Sequence, residues 1–323
     1  MDPQVAVQGG DWVSAVTPLL KLLCLTVIGL LLAHPRAQVV PKATFKLLSK
    51  LVFALFLPCL IFVHLGQSVT LHNVLHWWFI PVNVLIATAV GCALGYAVAL
   101  VCRPPPRFFR FTVIMTGFGN TGNLPIAIIG SVCHTADHPF GPGCHREGIA
   151  YVSFAQWVAV LLVYTLVYPI IIGMVPVLKA FVFGADAPLS FFTDSLEILA
   201  AAVVPSVMLI LGGMLAEGPN DNALGIRTIV GITVARLLIL PCIGIGIVML
   251  ADRLHLLVEN DHMYRFVLSL QYSTPSAILL GAIASLRGYS VKEASALLFW
   301  QHICAVFSLS IYLVVYFKLL SYI

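Results

Sequence analysis

Charge is what this chain has least of. Asp, Glu, Lys and Arg together make up 9% of its 323 residues, and hydrophobic residues make up 60%. A water-soluble domain carries roughly a quarter charged residues, so a soluble enzyme is excluded. The formal net charge of +4 is small and the basic residues are not pooled into a patch, so nothing points to nucleic acid. The first twelve residues hold Asp2 and Asp11 but no Lys or Arg, the wrong charge for the start of a signal peptide. Catalytic signatures are absent as well: there is no GxSxG, HExxH, phosphate loop or GxGxxG. No nucleophile with a base and no paired carboxylates stand mid-membrane, so neither intramembrane hydrolysis nor obligate sodium coupling has a visible site. The reading is therefore of a protein that is not an enzyme, with no cofactor and no metal.

Long apolar runs are plentiful. Nine stand out, at 13–33, 44–66, 78–102, 109–132, 148–170, 190–216, 226–250, 264–286 and 294–318, and the mean hydropathy is +1.02. Each is long enough to cross about 30 Å of hydrocarbon at about 1.5 Å per residue. In lipid they must be helices, because every backbone polar group needs an internal partner. Most of the eight cysteines, Cys24, Cys59, Cys92, Cys242 and Cys304 among them, lie inside these runs and read as small core residues. Arg36, Lys42, Lys46 and Lys50 follow the first run, and Arg103, Arg107 and Arg110 follow the third. The loop at 67–78 has no basic residue, and the one at 133–145 is followed only by Arg146. The positive-inside rule then puts the N-terminus outside or in a lumen, with 34–50 and 103–110 in the cytosol.

The chain also resembles itself. FALFLPCLIFVHLG at 53–66 matches AAAVVPSVMLILGG at 200–213, aligning Pro58 with Pro205 and Gly66 with Gly213. EGIAYVSFAQWVAV from Glu147 matches EASALLFWQHICAV from Glu293, and two runs open alike at Arg110-Phe111 and Arg265-Phe266. The shared order argues for a duplicated unit of five spans, and an odd-numbered unit must be inverted in its second copy. The expected fold is an all-α polytopic membrane protein of two inverted five-helix repeats, residues 1–169 and 170–323. Two such units need ten spans. The missing one falls at 170–189, where IIIGMVPVLKAFVFG is too short to cross alone.

Two stretches inside the spans break the helical pattern. GFGNTGNLP at 117–125 combines Gly117, Gly119 and Gly122 with Asn120, Asn123 and Pro125; LQYSTPSA at 270–277 carries Gln271, Ser273, Thr274, Pro275 and Ser276. Unwound backbone at membrane depth is tolerated only where it faces protein or a water-filled cavity, and a freed half-helix N-terminus favours a carboxylate. Such paired breaks are how many carriers build a midplane pocket, though each alone also reads as a structural kink. Pro58 and Pro205 form a second symmetric pair, either shaping the pocket wall or merely kinking helices. Of the intramembrane ionisable residues Lys21, His64, Glu197, Arg236 and His302, Arg236 is the costliest to leave unpaired. It is placed to pair with Glu197 or to attract an anion. His302 is either a proton relay or packed structure. In the loop at 133–145, a Cys133–Cys144 disulfide and free thiols are both open, and the Cys/His spacing fits no standard zinc pattern.

At these residues the chain resembles the plant PIN-LIKES family of the auxin efflux carrier superfamily. The matching text is GNTGNLPIAIIGSVCH, PFGPGCHREGIAYVSFAQWV, DAPLSFFTDSLEILAAAVVPSVMLILGGMLAEGP, ARLLILP and QYSTPSAILLGAIASLRGYSVKEASALLFWQH, covering nearly the whole length. The resemblance implies ten spans in two inverted repeats, with the fourth and ninth as crossed broken helices. It implies a carrier for auxin, chiefly indole-3-acetate, in the endoplasmic reticulum membrane, limiting auxin supply to the nucleus and so auxin signalling. By motif match the pocket falls on Asn120, Asn123 and Pro125 with Ser273, Thr274 and Pro275. Trp157, Tyr151 and Phe118 are expected as walls for the indole ring, and a homodimer is a further expectation. The chain departs from the family where a long hydrophilic loop and a full sixth span should follow the fifth. The rival reading is accordingly a truncated, non-transporting form that pairs with a full-length relative and regulates it.

Overall fold

A computed structural model describes residues 10–34, 39–56, 58–60, 62–63, 75–133, 140–165, 190–215, 224–287 and 290–320. Among these residues the regular structure is helical, apart from one isolated β-bridge. Large apolar side chains face outward, Val101 at 82% exposure and Phe307 at 70% among them, as a chain with lipid for solvent requires. Among the described residues, four helices are long and apolar enough to cross a membrane: Ala43–Leu60, Phe79–Cys102, Ile226–Arg253 and Val291–Leu319. The protein is an all-α membrane protein. The shortened sixth-helix region at 170–189 and His64 lie outside the described residues.

In chain order the helices are α1 (Gly10–Ala33), α2 (Lys42–Leu51), α3 (Phe79–Cys102), α4 (Phe109–Gly117), α5 (Asn123–Val132), α6 (Cys144–Thr165), α7 (Ser190–Ala201), α8 (Val203–Leu215), α9 (Ile226–Val234), α10 (Leu240–Arg253), α11 (His262–Ser273), α12 (Ile278–Arg287) and α13 (Val291–Leu320). Proline sets several of the irregularities, because its ring removes a donor and crowds the carbonyl four residues back. A π-turn at Val52–Phe56 extends α2 just ahead of Pro58, and a second at Ala235–Ile239 joins α9 to α10 ahead of Pro241. The α7–α8 junction at Ala202 lies three residues before Pro205.

One group of helices is built on close backbone approach. α1 lies along α8, and α2 packs against α8. Gly29 and Gly212 make this possible, since a Cβ on Gly212 would overlap the Thr26 carbonyl oxygen and one on Gly29 the Leu209 carbonyl oxygen. Small residues at such a seam are the usual device of helix packing in lipid. The other group contains α3 to α6 and α9 to α13, with α3 against α4 and α6, and α11 against α6, α10 and α13.

Side-chain contacts fix which helix ends share a face. Cys133 and Cys144 are disulfide-bonded, which decides the question the sequence left open. Phe140, inside that bridged loop, packs on Phe266 near the start of α11 and on Phe317 near the end of α13. At the opposite face the Cys102 thiol donates to the Arg227 carbonyl, and Phe45 lies against Gly213. The bridged loop is the one the charge pattern assigns to the lumen.

Replacing Gly212 with Val is expected to wedge α1 from α8. A cost of about 1–3 kcal/mol is typical of such overpacking, read as a lower melting temperature of the purified protein. Gly246→Ala, where an added Cβ meets nothing, should melt at or slightly above the parent.

Candidate substrate site at the crossing of two broken helices

Both predicted breaks are present, and they meet. The first separates α4 from α5 at residues 118–122, and the second separates α11 from α12 at residues 274–277. The two unwound segments pair as extended chain through an antiparallel bridge between Gly119 and Ser276. The Asn120 N–H donates to the Pro275 carbonyl at 2.8 Å, and the Ala277 N–H donates to the Phe118 carbonyl at 2.9 Å. The Ser276 hydroxyl donates to the Met115 carbonyl, and its N–H donates to Gln301 Oε1 at 3.0 Å. Each break thus spends freed backbone groups on the other, which is what permits unwound chain inside a membrane.

The prolines fall where their chemistry costs least. Pro125 is the third residue of α5, in the first turn, where an N–H would have no helical acceptor. Thr274, ahead of Pro275, is extended at φ −78° and ψ 148°, as the residue before a proline prefers.

A cavity of ≈ 60 Å³ lies beside the crossing. One wall is the break itself, Phe118 to Gly122 with Ala277, Ile278 and Leu279; the others come from Thr88, from Gln156, Ala159 and Val160 on α6, and from Val52, Val203 and Val207 of the first helix group. The cavity therefore sits between the two groups. Gly122, Ile278 and Leu279 bring the N-terminal ends of α5 and α12 to its wall. Asn120 is 5% exposed, lines the cavity, and its Nδ2 has no hydrogen-bond partner. A buried amide donor left unpaired costs about 1–3 kcal/mol, which an acceptor entering the cavity would relieve.

Of the residues predicted for the site, Asn120 lines the cavity. Pro125, Ser273, Thr274 and Pro275 build the crossing behind it: the carbonyls of Thr274 and Pro275 accept hydrogen bonds, and Ser273 is fully buried. The backbone of Asn123 opens α5, but its side chain is outside what is described. Phe118 is a wall residue as expected. Tyr151 and Trp157 are not: Tyr151 packs on Trp77 and Tyr264 and donates to Asp261, while Trp157 stacks on Phe154. The helical period turns Gln156, one position earlier, to the cavity. Pro58 and Pro205 stay out of the wall, and Val52 and Val203, at the irregular turns just before them, stand in it.

Arg236 does not pair with Glu197, which is exposed on α7. It is 1% exposed and donates from Nε to the Thr274 carbonyl at 2.9 Å and from Nη1 to the Thr116 and Gly117 carbonyls at 3.0 and 3.2 Å. His302 Nδ1 lies 2.7 Å from the Leu298 carbonyl one turn back on its own helix, and Lys21 is exposed. Asn83, in the second turn of α3, ties α11 in place. Its Nδ2 donates to the Leu268 carbonyl at 3.0 Å and to Gln271 Oε1 at 2.9 Å, and its Oδ1 accepts from the Tyr272 hydroxyl at 2.9 Å. A larger groove of ≈ 670 Å³ between α3 and α9 is lined almost wholly by apolar residues such as Leu94, Val98 and Val230. Its polar lining is limited to Arg227 and to Cys102, whose thiol is spent on the Arg227 carbonyl, so it offers few groups to orient a solute. Among the described residues no His, Cys, Asp and Glu cluster is placed to hold a metal.

The family profile described as "Membrane transport protein" matches residues 14–173 and 169–313. PIN-LIKES 2 of Arabidopsis thaliana is 50% identical, over 96% of this chain and 95% of its own. PIN-LIKES 6 of the same plant is 35% identical over 99% and 97%. The chain belongs to the PIN-LIKES family. PIN-LIKES 7, at 27% identity over 95% of this chain, is a more distant relative. The alignment with PIN-LIKES 2 runs over 433 positions while this chain has 323 residues, so the relative carries at least 110 positions that this member lacks. The two profile matches meet at 169–173, which is where the sequence falls short of a tenth span.

Asn83→Leu is expected to leave Gln271 and the Tyr272 hydroxyl buried without their partner, at about 1–3 kcal/mol for each orphaned group. Thermal unfolding of the purified protein reads the loss. Adding Tyr272→Phe should return part of it, and no recovery would mean that Asn83 does not hold Tyr272.

Proposed function

We propose that this PIN-LIKES protein is a secondary carrier for a small organic anion, auxin as indole-3-acetate, across the endoplasmic reticulum membrane, where it sets intracellular auxin supply and signalling. The observation that carries the reading is the unpartnered Asn120 Nδ2 at a cavity reached by the N-terminal ends of two half-helices. Each helix N-terminus presents about half a positive charge, so two together match one carboxylate. Phe118, Val52, Val203 and Val207 offer the apolar wall an indole ring needs. The substrate site in this proposal is Asn120, Asn123 and Pro125 with Ser273, Thr274 and Pro275, extended by Gln156.

Small-molecule pockets typically start near 300 Å³, so the ≈ 60 Å³ cavity must widen to admit a guest. Its walls belong to two helix groups, and rocking one against the other both enlarges it and changes the face it opens to. Ten crossings in two inverted repeats, 1–169 and 170–323, fit the shared faces. α6 starts at the bridged-loop face, α8 runs toward the opposite face where α2 begins, and α13 ends back at the bridged loop.

A second reading is favoured by the 110 or more positions that this member lacks relative to PIN-LIKES 2: a non-transporting form that pairs with a full-length relative and regulates it. Flux of radiolabelled indole-3-acetate into proteoliposomes separates the two. The carrier reading expects saturable uptake, and Asn120→Leu should weaken substrate affinity by roughly 10- to 100-fold, the value of a hydrogen bond to a charged group. Absence of uptake by a well-folded protein, with inhibition of a co-reconstituted relative, supports the regulator instead.

A further inference from the structure

The N-terminal ends at the crossing have counterparts that the carrier reading leaves unexplained. α4 ends at Gly117 and α11 at Ser273, and the carbonyls of Thr116, Gly117 and Thr274 converge on one point behind the cavity. Two half-helix C-termini with exposed carbonyl oxygens make a cation seat, and unwound carriers commonly fill such a seat with a metal ion. Here the seat is filled from the chain. Arg236 enters with Nε on Thr274 and Nη1 on Thr116 and Gly117, and none of these bonds goes to a carboxylate. Its other amino group, Nη2, lies so close to Gly119 that a Cβ there would overlap it. The guanidinium therefore seals the back of the crossing.

A dedicated backbone feature aims this side chain. Pro241 lacks the N–H that the Leu237 carbonyl would take in a regular helix, and the chain forms the π-turn Ala235–Ile239. The released carbonyls are taken up by α13: the Ser308 hydroxyl donates to Leu237 at 2.7 Å and the Tyr312 hydroxyl to Leu238 at 3.0 Å. The charges then balance in two separate pairs. Two C-termini carry about one negative charge in sum, facing one guanidinium, and two N-termini carry about one positive charge, facing the cavity.

We infer that Arg236 is the resident cation of the crossing, occupying the seat a metal ion would need, so that the site binds its anion with no co-bound metal cation. It is a positioning residue: it touches the backbone of both breaks and acts on the substrate through them. The inference rests on the anion-carrier reading and deepens it. A further consequence is that removing the side chain uncovers a vacant cation site.

The test uses the full chain in nanodiscs, with radiolabelled indole-3-acetate binding measured with sodium, potassium or choline as the only added cation. The parent should bind equally in all three. Arg236→Ala should bind roughly tenfold or more weakly in choline, and guanidinium chloride or an alkali cation should restore binding. Urea, which has a similar shape and no charge, should not. Arg236→Lys, keeping the charge and losing the fork, should bind more weakly than the parent but without dependence on the added cation. Melting temperature gives a readout that needs no substrate: Arg236→Ala should be raised by guanidinium or sodium and not by urea or choline. Where the alanine variant cannot be purified in choline, purification in guanidinium followed by exchange reads the same dependence. Unaltered binding by Arg236→Ala in choline, rescue by urea as good as by guanidinium, or sodium dependence in the parent or in Arg236→Lys overturns the inference. Parent protein that binds no indole-3-acetate, in company with cation-specific stabilisation of Arg236→Ala, sinks the anion reading and leaves Arg236 as the resident cation.

Discussion

Two main-chain hydrogen bonds hold the centre of this protein. Asn120 N–H to the Pro275 carbonyl and Ala277 N–H to the Phe118 carbonyl join the unwound middles of two helices that are more than 150 positions apart in sequence. Neither break could exist alone at that depth, because hydrocarbon offers no partner for a bared amide. Paired, each break is the solvent of the other. Helix propensity, which glycine and proline lower at the first break and Pro275 lowers at the second, sets where the helices fail. The pairing decides that they fail usefully, leaving four half-helix ends within a few residues of one another.

Those four ends sort by polarity. The two that terminate in carbonyls meet a buried guanidinium; the two that begin with amides meet a cavity. On the carrier reading this asymmetry is what would select for charge, and it comes from chain direction, not from a cluster of basic side chains. A free lysine or arginine in the cavity would hold an anion strongly and release it slowly. Helix ends supply a spread, partial charge, which suits a carrier that must bind on one face and let go on the other. Rigid placement matters for the same reason. Asn83 fixes α11 through Leu268, Gln271 and Tyr272, and Gln301 fixes Ser276, so on the carrier reading the crossing would move as one unit and the boundary between helix groups would take up the motion.

The breaks were legible in the sequence because they are local chemistry: glycine, asparagine and proline at 117–125, and serine, threonine and proline at 273–276, interrupt apolar runs, and it was their occurrence as a pair that favoured a site over two structural kinks. The helix runs were legible for the same reason, to within a few residues at their ends. What could not be read was pairing across the fold. Arg236 was visible as a costly charge, but its partners are backbone carbonyls in two other segments, and a carbonyl leaves no mark in a sequence. Tyr151 and Trp157 attracted notice as aromatic residues, yet the phase of α6 gives the cavity to Gln156. Gln156 and Gln301 each stand mid-span in the two matching segments that begin at Glu147 and Glu293, one register position apart. A polar amide inside an apolar run was the available signal for both, and amide side chains drew less attention than rings.

The shortened middle of the chain bears on transport through geometry. The residues lining the cavity fall within 52–160 and 203–279, so none of them depends on the positions that this chain lacks relative to PIN-LIKES 2. The first helix group likewise closes without them, through Gly29 and Gly212. Among the described residues, α6 heads away from the bridged-loop face and α8 heads the same way. On the carrier reading, a shorter link between the helix groups would restrict how far one can travel relative to the other while the chain stays joined, so it would bear on the rate of alternation before it bore on the affinity of the site.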